Sequence, residues 1–157
     1  MKKIQTLIII HKHPHILLGM KKRGFGMGKW NGFGGKVEKG EEVVEAAKRE
    51  LFEEVGIEVA DMCLIGILEF EWQNKKFSDD ILKVHIFRAN NYKGEPCESE
   101  EMLPKWFHTD EIPYHKMWSD DKHWMPLFLD EKKFRGKFLF DKNNNILNYE
   151  LHTKNLT

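Results

Sequence analysis

Three carboxylates, Glu50, Glu53 and Glu54, lie close together on a segment with helical spacing, and Gly34-Gly35 come shortly before it. At about 100° per residue they fall within roughly 100° of one another around a helix. Val44, Ala47, Leu51 and Val55 form an adjacent apolar stripe, so the helix is expected to bury one side and to carry charge along its edge. Like charges at Glu50 and Glu54 cost an isolated helix about 0.2 to 0.5 kcal/mol, which a bound cation would offset. All-oxygen ligands suit Mg2+, with Mn2+ as an alternative, and waters and substrate phosphates complete the shell. A lone acidic run of this kind reads as a solvated helix face. Gly34-Gly35 before it and Gly56 after it favour the metal reading instead.

These side chains need a frame to hold them. Residues 4–10 and 16–19 are apolar and rich in β-branched side chains, and they read as strands joined through His11-Lys12-His13-Pro14-His15. Alternating histidines can mark a metal site, but Pro14 and the apolar flanks favour a turn. Gly24, Gly26 and Gly28 make a flexible loop, and residues 31–37 read as a short strand ending in the Gly34-Gly35 turn. The helix runs over residues 42–55, with Gly56 as its C-cap. Strands follow at about residues 65–72 and 81–89, with the polar 73–80 segment between them as a hairpin loop. Residues 106–108 read as a short strand and 120–129 as a second helix despite Pro126. Residues 133–140 and 146–151 read as a closing hairpin. The expected fold is α/β, a mixed β-sheet with helices on its faces, an α/β/α sandwich.

At 157 residues, a single domain over 1–157 can bury a substantial core. Lys+Arg and Asp+Glu balance at 25 each, so no net field favours a nucleic acid polymer or an acidic membrane. A small polyanion held through a metal fits better. Cys63 and Cys97 lack disulfide-framework and zinc spacing, which points to a reducing compartment. The only N-terminal apolar run is short, so neither a signal peptide nor a membrane span is expected, and the default location is cytoplasmic.

The pattern Gly35, five residues, Glu41, seven residues, Arg49-Glu50-Leu51, one residue, Glu53-Glu54, one residue, Gly56-Ile57 resembles the Nudix box at every fixed position. The stretch from Leu17 to Val37, and Glu98 to Met102, Trp106-Phe107, Met117-Trp118, Asp120-Asp121 and Trp124, resemble the vertebrate MutT-like branch of that family over nearly the whole chain. The resemblance implies the Nudix α/β/α sandwich and metal-dependent hydrolysis of oxidised purine nucleoside triphosphates to monophosphate and pyrophosphate by a monomer. It implies that Glu50, Glu53 and Glu54, with the Gly34 carbonyl and Glu101, hold the metal or order its waters. It gives the base edge to Asn31, Asp120 and Asp121, between Phe70, Trp118 and Met102, with Thr6, Leu7, Lys21, Phe25 and Trp124 beside them. Arg49 is expected to orient Glu50 or Glu53 through a forked ion pair.

Spacing alone reads Ser119 or Asp120 as a helix N-cap, and the resemblance adds the base-reading role for Asp120-Asp121. Two carboxyls in an aromatic pocket are expected to hold one proton between them, which would offer both donor and acceptor patterns to oxidised guanine and oxidised adenine. Most other aromatics, including Trp30, Trp72, Trp106, Phe33, Phe87 and Phe107, read as core. Lys21-Lys22-Arg23 fits a phosphate-steering patch and a solvated turn equally. Three departures from the branch bear on base preference: Ser119 in place of Pro, Leu82 in place of Met, and a longer 73–80 loop. Rival readings are a Nudix hydrolase of ADP-ribose, dinucleoside polyphosphates or methylated purine triphosphates, and a non-catalytic nucleotide- or RNA-binding module.

Overall fold

In a computed structural model, which describes residues 2–73 and 81–153, the Leu7 to Ile10 run lies within strand β1 (Lys2–Lys12). β1 pairs antiparallel with β2 (His15–Lys21) and parallel with β5 (Ile81–Ala89). Successive side chains point to opposite faces. Ile9 joins one core cluster with Trp124 and Phe128, whereas Ile8 and Ile10 join another with Ala47, Leu51 and Val55. A strand buried on both faces needs no polar alternation, which is why its sequence reads as a continuous apolar run.

The sheet runs in the order β3 (Trp30–Asn31), β2, β1, β5, β4 (Cys63–Trp72), β7 (Phe134–Phe140), β8 (Ile146–Thr153), and β6 (Met102–His108) also pairs with β2. The β1–β5 and β4–β7 pairs are parallel and the rest antiparallel, so the sheet is mixed. Helix α1 (Val43–Val55) packs Ala47, Leu51 and Val55 into one core cluster, and α2 (Asp121–Leu129) packs Trp124, Met125 and Phe128 into the other. This is the expected α/β/α sandwich. Among the described residues no helix is long and apolar enough to cross a membrane.

Several boundaries differ from the sequence reading. The strand expected over residues 31–37 shrinks to Trp30–Asn31, and beyond it only the isolated bridges Phe33–Ile8 and Lys36–Gln5 remain. The cause is a close approach: a Cβ on Gly34 would stand 1.9 Å from the Thr6 carbonyl oxygen, and one on Gly32 2.7 Å from the Ile9 side chain. β6 begins at Met102 rather than 106, because its register on β2 extends back to Lys21. In the first turn of α1, Val44 is exposed and Val43 packs against the core instead. The helix ends as expected at Gly56, whose φ of 75° is left-handed and whose N–H donates to the Phe52 carbonyl. His11 is buried and accepts a hydrogen bond at Nδ1 from Arg88 Nε, so the histidine segment is a turn with its first ring in the core. The expected 73–80 loop lies, from 74 onward, outside the described residues.

Candidate active site

The close passage of Gly34-Gly35 past β1 sets one side of the site. The Thr6 N–H donates to the Gly35 carbonyl at 2.9 Å, and the Gly34 N–H donates to Glu54 Oε1 at 3.0 Å. A Cβ on Gly35 would lie 2.7 Å from the Glu50 carboxylate and would push it aside, so glycine there leaves the carboxylate its place, while at Gly34 the Thr6 backbone leaves no room for a side chain. Glu54 is 4% exposed. Burial pushes its carboxyl up to about 8, with smaller pushes from Glu50 and Glu101 and opposition from the Gly34 hydrogen bond. Burial also raises Glu50, against the pull of Arg49 and with help from Glu53 and Glu101.

Arg49 pairs with Glu50 and Glu53 as expected, but not through its fork. Its fork closes on Glu41, at 2.7 and 3.1 Å, because the turn before α1 presents both Glu41 oxygens to the guanidinium. Nη1 still reaches Glu50 at 3.0 Å and Glu53 at 3.3 Å, and Nη2 donates to the Lys36 carbonyl. Arg49 therefore braces the acidic edge of α1 from behind and does not line the cavity. Glu53 also stands outside the cavity, with its side chain 57% exposed.

The cavity has a volume of about 360 Å³. Gly34, Glu50, Glu54 and Glu101 contribute to its wall, and so do Thr6, Leu7, Lys21 and Asn31 from β1, β2 and β3. Phe70, Met102 and Trp124 supply buried apolar surface, and Phe25, Trp118, Asp120 and Asp121 complete the expected set. Every residue expected to bind the nucleotide lines this one cavity; of the other expected site residues only Arg49 and Glu53 do not. The Lys21-Lys22-Arg23 run divides: Lys21 faces the cavity, Lys22 pairs with Glu98, and Arg23 pairs with Glu101.

Asp120 and Asp121 stand at the start of α2, 5% and 3% exposed. Asp120 occupies the N-cap position but makes no capping hydrogen bond, so the capping role expected from spacing is not used. Its Oδ2 accepts instead from Trp124 Nε1 at 2.8 Å. Asp121 Oδ2 is buried without a hydrogen-bond partner. Burial raises both carboxyls, Asp121 well above the usual range because the Asp120 charge adds to the effect of burial. A carboxyl that favours its proton can share it with its neighbour Asp120 or donate it to a ligand.

Some lining residues escaped the sequence reading. Lys29 Nζ stands 5.2 Å from the Trp118 ring centroid, and Phe25 packs against Trp118 at 5.1 Å. A lysine between Gly28 and Trp30 carries no signal of its own. Trp72, expected in the core, packs against a core cluster and also lines the cavity, and so does the buried Phe140. Here a signal existed, because Leu68, Phe70 and Trp72 alternate along β4 and share a face. Leu82 lines the same wall.

Among the described residues no group of three or more His, Cys, Asp or Glu side chains forms a ready-made metal cage. Glu50, Glu54 and Glu101 nevertheless line one cavity and repel one another. An all-oxygen set with surplus negative charge fits a hard divalent cation that keeps waters and substrate phosphates in its shell.

Residues 1–128 match the family model of the NUDIX domain. An oxidized purine nucleoside triphosphate hydrolase of Danio rerio is 50% identical over 149 residues, covering 95% of this chain and 94% of its own length. The protein of the same name from Mus musculus is 48% identical over the same shares. The crystal structure of the MutT protein from Bacillus halodurans superimposes with a TM-score of 0.86 at 29% identity, covering 98% of this chain and 99% of that one. Nudix hydrolases generally depend on a divalent metal. With fold, box and cavity in agreement with these matches, the chain belongs to the Nudix family of hydrolases.

Proposed function

We propose that this Nudix hydrolase cleaves oxidised purine nucleoside triphosphates, of the 8-oxo-dGTP and 2-oxo-dATP type, to the monophosphate and pyrophosphate. The observation that carries the reading is the sharing of one cavity by the acidic edge of α1 and a buried Asp pair among aromatics. A flat apolar slot with a few oriented polar groups is what a purine requires. Its hydrolase relatives of 50% and 48% identity carry the matching name.

Glu50, Glu54, Glu101 and the Gly34 carbonyl would hold the cation, Mg2+ in our reading. When bound, a divalent metal neutralises phosphate oxygens and lowers the pKa of attacking water. Glu54, which accepts a hydrogen bond from the Gly34 N–H, would take the proton of the attacking water once its own proton is lost. Water attacks one phosphorus of the α,β-phosphoanhydride as its proton passes to the base, and the P–O bond to the bridging oxygen breaks, which releases the monophosphate and pyrophosphate. Arg49 holds the helix edge in register, and Lys21 supplies a positive charge on the cavity wall.

On the base side, Asn31 and the Asp pair face the purine, with Trp118 against one face of the slot. Asp121 with its proton donates, and Asp120 accepts. Moving the proton within the pair would reverse the pattern, which would let one pocket take oxidised guanine or oxidised adenine. Ser119, in place of proline, gives this segment a tether that proline could not: its hydroxyl donates to the Asn144 carbonyl at 3.1 Å. We take the protein as a cytoplasmic monomer, and the exposed free Cys63 and Cys97 fit a reducing setting.

Product analysis across a panel tests this: 8-oxo-dGTP, 2-oxo-dATP, dGTP, a methylated purine triphosphate and ADP-ribose, each with Mg2+. Turnover of the oxidised triphosphates to monophosphate and pyrophosphate, well above that of dGTP, is expected. Preferred turnover of ADP-ribose or the methylated nucleotide would assign the cavity to another substrate.

A further inference from the structure

We propose that Asn144, in the β7–β8 turn and outside the cavity, is a positioning residue that clamps two walls of the base pocket to each other. This rests on the reading of the cavity as a purine site. The Asn144 side-chain oxygen accepts a hydrogen bond from Trp72 Nε1 at 2.7 Å, and its backbone carbonyl accepts from Ser119 Oγ at 3.1 Å. Trp72 lines the cavity from the end of β4, and Ser119 is flanked in sequence by the lining residues Trp118 and Asp120. One residue thus ties the sheet-side wall to the base-reading loop, which are far apart in sequence and belong to different elements.

The turn that carries Asn144 is itself firmly held. The Asp141 carboxylate accepts the backbone N–H groups of Asn143 and Asn145 at 2.8 and 3.0 Å, and the Asn144 N–H donates to the Asp141 carbonyl at 3.1 Å. Asn144 has a φ of 64°, in the left-handed region that asparagine tolerates better than most residues. Its amide is therefore presented at a fixed angle rather than found by a mobile side chain. The indole N–H of Trp72, half-buried beside Phe140, needs an acceptor there, and Asn144 provides it. With both bonds made, the gap between Trp72 and the Trp118–Asp120 segment is fixed, and that gap sets the fit of the base.

The substitutions separate the two bonds. Asn144→Gly keeps the positive φ and the carbonyl that Ser119 uses, and it removes only the Trp72 bond. Ser119→Ala removes the other. Each is expected to raise KM for the oxidised purine triphosphate about 3- to 10-fold while kcat stays within about twofold, the range for one net hydrogen bond. Asn144→Asp, which keeps an acceptor oxygen and tolerates the backbone angle, is expected to restore KM. Trp72→Phe combined with Asn144→Gly is expected to be no worse than Trp72→Phe alone. Unchanged KM in folded Asn144→Gly and Ser119→Ala, equal damage in Asn144→Asp, or additive effects in the double variant would overturn the clamp. If the wild-type enzyme turns over no oxidised purine triphosphate, the substrate reading falls, and the clamp is judged by NMR on the Trp72 indole proton. Loss of its hydrogen-bonded shift and exchange protection in Asn144→Gly supports the clamp, and an unchanged resonance overturns it.

Discussion

On the α1 side of the cavity, Glu50 and Glu54 have a backbone N–H, a guanidinium and Lys21 within electrostatic reach, whereas on the α2 side Asp120 and Asp121 have an indole N–H, Lys29, His123 and each other. Burial raises all four carboxyls, yet the two groups can be satisfied in different ways. The α1 group stands beside Glu101, whose side chain is 59% exposed, so a cation and its waters can reach it. Its charge deficit is met by adding a metal. The Asp pair is enclosed by Trp124 and the start of α2, and its deficit is met by keeping a proton. The same functional group therefore does chemistry in one place and recognition in the other, and the difference lies in what can approach it.

If that division holds, the largest effect comes from the α1 side. Glu54→Gln is expected to lower turnover by a factor of about 10² or more on every substrate while the melting temperature holds or rises. Near wild-type kcat in that variant would remove Glu54 from the chemistry. Asp120→Asn fixes one donor pattern at the base, and it is expected to shift the ratio of kcat/KM for oxidised guanine and oxidised adenine substrates by about 10-fold or more. An unchanged ratio in steady-state assays would end the proton-switch idea.

A smaller effect is thermodynamic. The folded, metal-free chain holds the Glu54 proton up to about pH 8, whereas the unfolded chain releases it near 4.5, so the folded state binds more protons between those values. Stability of the metal-free protein is then expected to fall as pH rises through that window, by a few kcal/mol at most at about 1.4 kcal/mol per unit. Denaturant melts in chelator at several pH values check this, and Glu54→Gln or added Mg2+ should flatten the slope. The smallest effect is expected from Lys29→Met, which removes a cation from the Trp118 face: about a two- to fivefold rise in KM, measured on the same substrates, with the Asp pair titrating at higher pH.

The two sides differed in how readily the sequence disclosed them. The α1 carboxylates sit on a local pattern, glycines, a helical period and a C-cap, in which each signal lies within a few residues of the next. What was missed there is also local: the Arg49 fork goes to Glu41 because of a turn whose geometry spacing does not encode. The α2 side is assembled from residues 5–31, 68–86, 102, 118–124 and 140. By spacing alone Asp120-Asp121 reads as a helix cap and only the resemblance turned it toward the base, whereas Trp72 shares a strand face with Phe70, a signal that the core reading passed over. Resemblance supplied Asn31, Phe70 and Trp118 where physical reasoning from spacing had no handle. The Asn144 tether, across three separate elements, left no trace in any local pattern.

The division of labour is tested most directly by kcat/KM for 8-oxo-dGTP, 2-oxo-dATP and dGTP, measured with Mg2+ on the wild type, Glu54→Gln and Asp120→Asn. Glu54→Gln should lower all three by a common factor and leave their ratios as in the wild type, whereas Asp120→Asn should change the ratios. A Glu54→Gln variant that altered selectivity, or an Asp120→Asn variant that slowed all three substrates equally, would contradict the assignment of chemistry to α1 and base recognition to α2.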